Sequence, residues 1–293
     1  CGLSQFTGYP DEGPRRVGKA FFDLHVGWMA TFAILAALHY REQTGKGQWL
    51  DFSMYQVGVA TMGDAILDYV ANGRNGQIMG NRHNWFAPHG VYRCKGDDKW
   101  VAIAVENDDQ WNTLCHVMND PDWSREEKFT TGGGRWSHQD EIDRHLNNWT
   151  KDHSHLELMT LLQTSGIPAS AVMNSREILT DPHMQARKFY EPIEHPPETG
   201  IGKKLYFGRP WKMSKTPSFI RRPAPKLGEH NELILGDMLG RTPTEIEKLY
   251  EIGVLGTLPE SPPSFQPPTH ERQIEDGSLV GYDQDYRSIV GLE

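Results

Sequence analysis

An α/β fold is what this sequence predicts, and three adjoining observations predict it. Between Asp23 and Tyr40 the residues Leu24, Val26, Trp28, Met29, Phe32, Leu35 and Leu38 recur at helical spacing, with alanines between them that permit close packing. Thr44-Gly45-Lys46-Gly47 then interrupts, and 48–54 alternates Leu50, Phe52 and Met54 with Asp51 and Ser53 as a strand does. A further helical stretch, 55–71, runs up to Asn72-Gly73. Helix, glycine turn, strand and helix in that order make an α/β layer built on a parallel sheet.

Asp23 stands where Ala20-Phe21-Phe22 meets the first helix, so its position is that of an N-cap accepting backbone N–H bonds. The same position favours an ionised carboxylate, and the apolar neighbours would exclude water. Both are conditions that an acyl-accepting carboxylate nucleophile needs.

Downstream, 73–90 is a loop rich in Gly, Asn and His, and 91–94 with 99–105 forms a hairpin turned at Lys95-Gly96-Asp97-Asp98. Helices are expected at 108–118, at 138–150 behind Ser137 and Asp140, at 155–165 stopped by Gly166, and at 176–187, with a short strand at 167–173. Gly132-Gly133-Gly134 reads as a flexible surface loop. Six prolines mark 190–225 as strands and linker, with a hairpin at 205–213. Thr242-Pro243 opens a last helix that runs to Glu251 and is stopped by Gly253, and beyond Gly256 no periodicity remains.

A chain of 293 residues is long enough for one large or two ordinary domains. Its net charge of −9, with Lys and Arg scattered, lacks the basic footprint of a nucleic-acid binder. Three cysteines without a CxxC or a zinc-ligand spacing fit a reducing compartment, so the expected location is cytoplasmic, and no metal is expected. His153 and His155 have no partner at metal spacing. The longest nearly apolar run, Trp28 to Leu38, has 11 residues, short of the ~20 a spanning helix needs, so no membrane segment is expected. The chain opens on Cys1, and Cys-Gly-Leu-Ser-Gln-Phe-Thr-Gly reads like the interior of a domain.

Three blocks together resemble the class III CoA-transferases, the CaiB/BaiF family that includes formyl-CoA transferases, carnitine CoA-transferases and α-methylacyl-CoA racemases. They are Val17-Gly18-Lys19-Ala20-Phe21-Phe22-Asp23, Ala33-Ile34-Leu35-Ala36-Ala37-Leu38, and Thr44-Gly45-Lys46-Gly47-Gln48-Trp49-Leu50-Asp51-Phe52-Ser53. Gly80-Asn81-Arg82-His83, Ala87-Pro88-His89-Gly90-Val91-Tyr92, Trp100 to Asp108, and Pro225-Lys226-Leu227-Gly228-Glu229-His230-Asn231 agree with it, and the likeness covers roughly 1–255.

The resemblance implies a Rossmann-like large domain, incomplete at its N-terminus, together with a smaller α+β domain in an interlocked homodimer. On that pattern 1–72 is the C-terminal portion of the large domain and carries the catalytic Asp23. Residues 73–200 form the small domain and 201–255 return to the large domain; outside the likeness, the proline-rich, polar 256–293 reads as an extended tail that could wrap over a partner subunit.

It also implies transfer of CoA from an acyl-CoA thioester to a carboxylic acid through an Asp23 anhydride and an aspartyl-CoA thioester. Acyl-CoA and the acid are then substrates, with no tightly bound cofactor. Asn81, Arg82, His83 and His89 either line the acyl or pantetheine pocket or are held structurally. Glu106 either caps a helix or, as in the racemase branch, moves a proton. Two other functions stand beside transfer: a racemase-type isomerase using Asp23 and Glu106, and a non-catalytic companion subunit.

Overall fold

The computed structural model describes residues 1–18, 20–259 and 268–292. The chain falls into two compact units, Cys1–Val172 and Met173–Glu293.

The first unit opens on a short antiparallel pair, β1 (Gly8–Tyr9) with β2 (Gly13–Pro14). The periodic segment then forms α1 (Phe21–Thr44), closed by Gly45 in the left-handed conformation with its N–H on the Arg41 carbonyl. α1 begins two residues earlier than its apolar repeat, so its N-cap is Ala20 and Asp23 lies inside the first turn. Leu24, Trp28, Phe32 and Leu35 are exposed. By length and composition α1 could cross a membrane, with a mean hydropathy of 1.6. The shorter run counted in the sequence missed this because the interspersed Gly, His and Thr are no barrier to apolar character over a whole helix.

Residues 48–53 do not form the expected strand, and 54 onward is helix. No described strand lies alongside to take up their backbone hydrogen bonds, and alternation without a ladder leaves coil. The expected single helix over 55–71 is two, α2 (Met54–Ala60), capped by the Ser53 hydroxyl, and α3 (Gly63–Asn72). The break is at Thr61, whose hydroxyl donates back to the Gly58 carbonyl, and Met62, which leaves helical geometry.

The core of this unit is an antiparallel sheet against helices. β3 (His89–Arg93) pairs with β4 (Trp100–Ala104) in the register Tyr92 to Val101, and β4 pairs with β5 (Ala169–Val172). α4 (Asp108–Val117), α5 (Gly132–Ser137), α6 (Gln139–Thr150) and α7 (His155–Thr164) complete it. Alternation decides the faces: Tyr92, Val101 and Ile103 point into the core, where Leu146, Leu158 and Leu162 meet them. On α6 the residues Ile142, Leu146 and Thr150 recur every fourth position and are buried. Asp143 and Asn147 form the adjoining stripe.

The three glycines at 132–134 form the first turn of α5, not a mobile loop. Thr131 caps it by accepting from the Gly134 amide, and a Cβ at Gly134 would sit 2.2 Å from the Lys128 carbonyl oxygen. For α6 the expected Ser137 cap is replaced by His138, which makes no side-chain cap bond, and Asp140 is committed elsewhere.

In the second unit the expected helix 176–187 is divided into α8 (Ser175–Thr180) and α9 (Pro182–Ala186). Pro182 has no N–H to donate and holds Asp181 in an extended conformation, where its carboxylate caps α9. The hairpin lies upstream of where the sequence suggested. β6 (Tyr190–Glu194) pairs antiparallel with β7 (Lys203–Phe207), and Pro210 falls beyond the ladder. A π-helical turn, Leu233–Met238, precedes α10 (Pro243–Glu251), which carries the Thr242/Glu245 capping box.

The tail is not extended throughout its described part. It forms α11 (His270–Glu275) and α12 (Tyr286–Ile289). Arg287 donates to the Lys203 carbonyl and Lys204 reaches the Tyr286 hydroxyl, so this end of the chain lies on β7 of its own unit. Residues 260–267 of the expected tail lie outside the described residues.

Candidate active site

The loop 81–88 leads into β3 and is fixed at several points. His89 contacts the Asn81 carbonyl through Nδ1 at 2.6 Å. The carbonyl can only accept, so Nδ1 carries the hydrogen. Trp136 of α5 donates its indole N–H to the His83 carbonyl at 3.0 Å, and Arg135 donates to the Ala87 carbonyl at 3.1 Å.

Within this loop the His83 ring stacks on Phe86 at 4.4 Å and lies 5.4 Å from His89, centre to centre. The Trp85 amide donates to His83 Nδ1 at 3.3 Å, which puts the His83 hydrogen on Nε2. Burial, followed by the neighbouring His89, holds the His83 pKa below the ordinary histidine value, although Glu106 opposes this. His83 thus offers a neutral N–H donor and His89 a ring nitrogen, close together and within electrostatic reach of the Glu106 carboxylate. The Glu106 amide is itself fixed by the Gln110 side chain at 2.8 Å.

Arg82 turns to the other side. It donates to Asp143 at 3.0 Å and also pairs with Asp140. Asp143 accepts at its second oxygen from the Tyr92 hydroxyl at 2.9 Å. Burial and that carboxylate push the Tyr92 pKa well above its usual value. Gly90 permits this placement, because a Cβ there would lie 2.8 Å from the Tyr92 hydroxyl oxygen. A cavity of about 260 Å³ opens beside the network, lined by Tyr9, Met79, Asn81, Arg82, His89 and Asp143 among others. Asn81 donates to the Tyr9 hydroxyl at 3.3 Å. The Arg82 guanidinium is thus already shared between two carboxylates.

Five of the six residues singled out in the sequence, Asn81, Arg82, His83, His89 and Glu106, therefore lie in one region. Asp23 does not join them by any hydrogen bond, ion pair or ring contact among the described residues. It is exposed in the first turn of α1, and the described residues do not shield it from water.

Sequence reasoning missed Arg135. It is 2% exposed and also donates to the Phe129 carbonyl at 3.1 Å and to Asp108 at 2.6 Å. A lone arginine after three glycines carries no periodic signal. Asp143 and Asn147 were visible only as an i, i+4 pair beside the buried stripe of α6. Among the described residues no three His, Cys, Asp or Glu side chains converge as metal ligands.

The model of CoA-transferase family III matches residues 1–231. The chain belongs to CoA-transferase family III. A family III relative, the succinyl-CoA–D-citramalate CoA-transferase of Chloroflexus aurantiacus, is 31% identical over 248 residues, covering 85% of this chain and 61% of that protein. The succinate–glutarate CoA-transferase of Agrobacterium fabrum is 30% identical, covering 81% of this chain and 58% of that protein. The chain thus spans about three-fifths of the length of these curated relatives. Among solved structures, a CAIB/BAIF family protein from Brucella suis superimposes with a TM-score of 0.70 at 27% identity, over 80% of this chain and 60% of that one. The mixed helix-and-strand architecture agrees with the α/β family fold expected from the sequence, but every described strand pair is antiparallel, so the parallel sheet expected from 23–71 is not formed among the described residues.

Proposed function

We propose that this chain carries the carboxylate nucleophile of an acyl-CoA:carboxylate CoA-transferase, with Asp23 as that nucleophile. The observation that supports it most is Asp23 in the first turn of α1, inside the segment that the family model matches. An Asp23 oxygen attacks the thioester carbonyl, the C–S bond breaks, and CoA leaves as the thiolate from a mixed anhydride. The thiolate then attacks the Asp23 carbonyl, which releases the donor acid and leaves an aspartyl-CoA thioester. The acceptor carboxylate reverses both steps and leaves as its CoA thioester.

No proton is gained or lost over the cycle, so the histidines act as donors and positioners. In this reading the His83 N–H steadies the oxygen that becomes negative during attack, and Asn81 and His89 border the arm that carries the thioester.

The anhydride must be kept from water, yet Asp23 is exposed in this chain. We read α1, with Leu24, Phe32 and Leu35 open, as covered by protein in the working enzyme, in a homodimer. A proton-transfer isomerase using Asp23 and Glu106 is the second reading, because Glu106 lies just after β4, with its amide held by the Gln110 side chain.

The test is transfer of CoA from a panel of acyl-CoA thioesters, with both aliphatic dicarboxylic and aryl acyl groups, to added carboxylic acids. Turnover that needs an acceptor and disappears in Asp23→Asn supports the proposal. Solvent deuterium entering the carbon beside the thioester, with no acceptor required, would replace it with the isomerase.

A further inference from the structure

The loop that holds His83 also presents aromatic rings outward, and they have no assigned use. Trp85 is 71% exposed and Trp136 40% exposed, although both sit on anchored backbone. The His83 and Phe86 rings are nearly parallel in their stack, with an interplanar angle of 9°, and the Trp85 ring meets His83 edge-on at 5.4 Å. Trp136 fixes the His83 carbonyl from below, and Arg135 fixes Ala87. The result is a pinned, flat-faced apolar ledge beside His89 and Glu106.

Charge separates the kinds of acyl group that this ledge could take. A dicarboxylic acyl group is held most strongly where a cation is free to pair with its second carboxylate. Here Arg82 is shared by Asp140 and Asp143, and buried Arg135 is held by Asp108. Glu106 adds another negative charge, and His83 is a neutral donor. Among the described residues the surroundings are thus acidic and aromatic, which disfavours a second carboxylate and favours a flat hydrocarbon face.

Resting on the CoA-transfer reading above, we propose that His83, Trp85, Phe86 and Trp136 form the acyl-specificity ledge and that its occupant is an aryl or arylalkyl acyl group. The relatives described above are named for citramalate, succinate and glutarate, so this chain departs from them in substrate class.

The test compares 3-phenylpropanoyl-CoA with succinyl-CoA in transfer to one common acceptor. The expected kcat/KM is at least tenfold higher for the phenyl compound, and Trp85→Ala lowers that ratio at least fivefold, mainly through KM. Equal or better use of succinyl-CoA, or a loss in Trp85→Ala of the same factor for both thioesters, overturns the ledge and leaves CoA transfer standing. Absence of turnover with either thioester counts against the transfer reading instead. The ledge is then decided by saturation-transfer NMR with 3-phenylpropanoate and succinate: transfer to the phenyl protons that is lost in Trp85→Ala supports it, and transfer that is absent or unchanged refutes it.

Discussion

Arg135 donates through Nε to the carbonyl of Ala87, 48 residues earlier in the chain, at 3.1 Å. One buried guanidinium thereby ties the loop that carries His83 to α5, to the Phe129 carbonyl and to Asp108 at the start of α4.

Replacing Arg135 by Met leaves two backbone carbonyls without their donor, each worth about 1–3 kcal/mol when buried. The expected loss is roughly 3 kcal/mol in urea denaturation, with Arg135→Lys intermediate because it restores a charge but not the fork. The Asp108 carboxylate is 62% exposed and is hydrated when its partner is removed, so little of the loss comes from that contact. A change below about 0.5 kcal/mol in Arg135→Met would show that the loop is held by other contacts.

His83 gives a pH signature. Its folded pKa is lowered, so the unfolded chain binds the proton more readily. The stabilising effect of keeping it neutral is complete above the unfolded value of about 6.5 and is lost as pH falls through the folded value. Protonation also removes the lone pair that accepts from the Trp85 amide. NMR titration of the His83 ring should give a midpoint below 6.5, and His83→Phe should flatten this part of the stability profile. A midpoint above 6.5 would contradict the geometry.

The thiols should separate by reactivity. Cys1 is exposed, whereas Cys94 and Cys115 are buried, and burial pushes the Cys94 thiol up to about 11. A disulfide reagent at pH 8 should titrate one thiol rapidly and the other two only on unfolding. Rapid reaction of all three would mean that the sheet opens readily.

The core should show its usual sensitivity. Leu146 is fully buried between α6 and the sheet, and Leu146→Ala is expected to cost about 2–5 kcal/mol. Leu67→Ala on the exposed face of α3 should cost less than about 0.5 kcal/mol. Similar losses at the two positions would place a covering surface over α3.

The parts of the fold legible in the sequence were those with a local cause. Helical spacing revealed α1, α4, α6 and α7, and the Lys95-Gly96-Asp97-Asp98 turn marked the hairpin of β3 and β4. The readings that failed depended on distant partners: 48–53 has the alternation of a strand but no described strand to pair with, and β7 pairs upstream with β6. The site followed the same division. The Asn81-Arg82-His83 block was recognisable as a motif, while its fixing by Arg135, Asp143 and Trp136 depends on tertiary contacts that no local pattern encodes.

The central claim is that Asp23 is the acyl-accepting carboxylate, and hydroxylamine trapping tests it most directly. The protein is incubated with acyl-CoA thioesters, quenched with hydroxylamine, and the Asp23 peptide is examined by mass spectrometry. We expect a hydroxamate at Asp23 that depends on the thioester and is absent in Asp23→Asn. A folded protein that binds acyl-CoA and yields no adduct at Asp23 would contradict it.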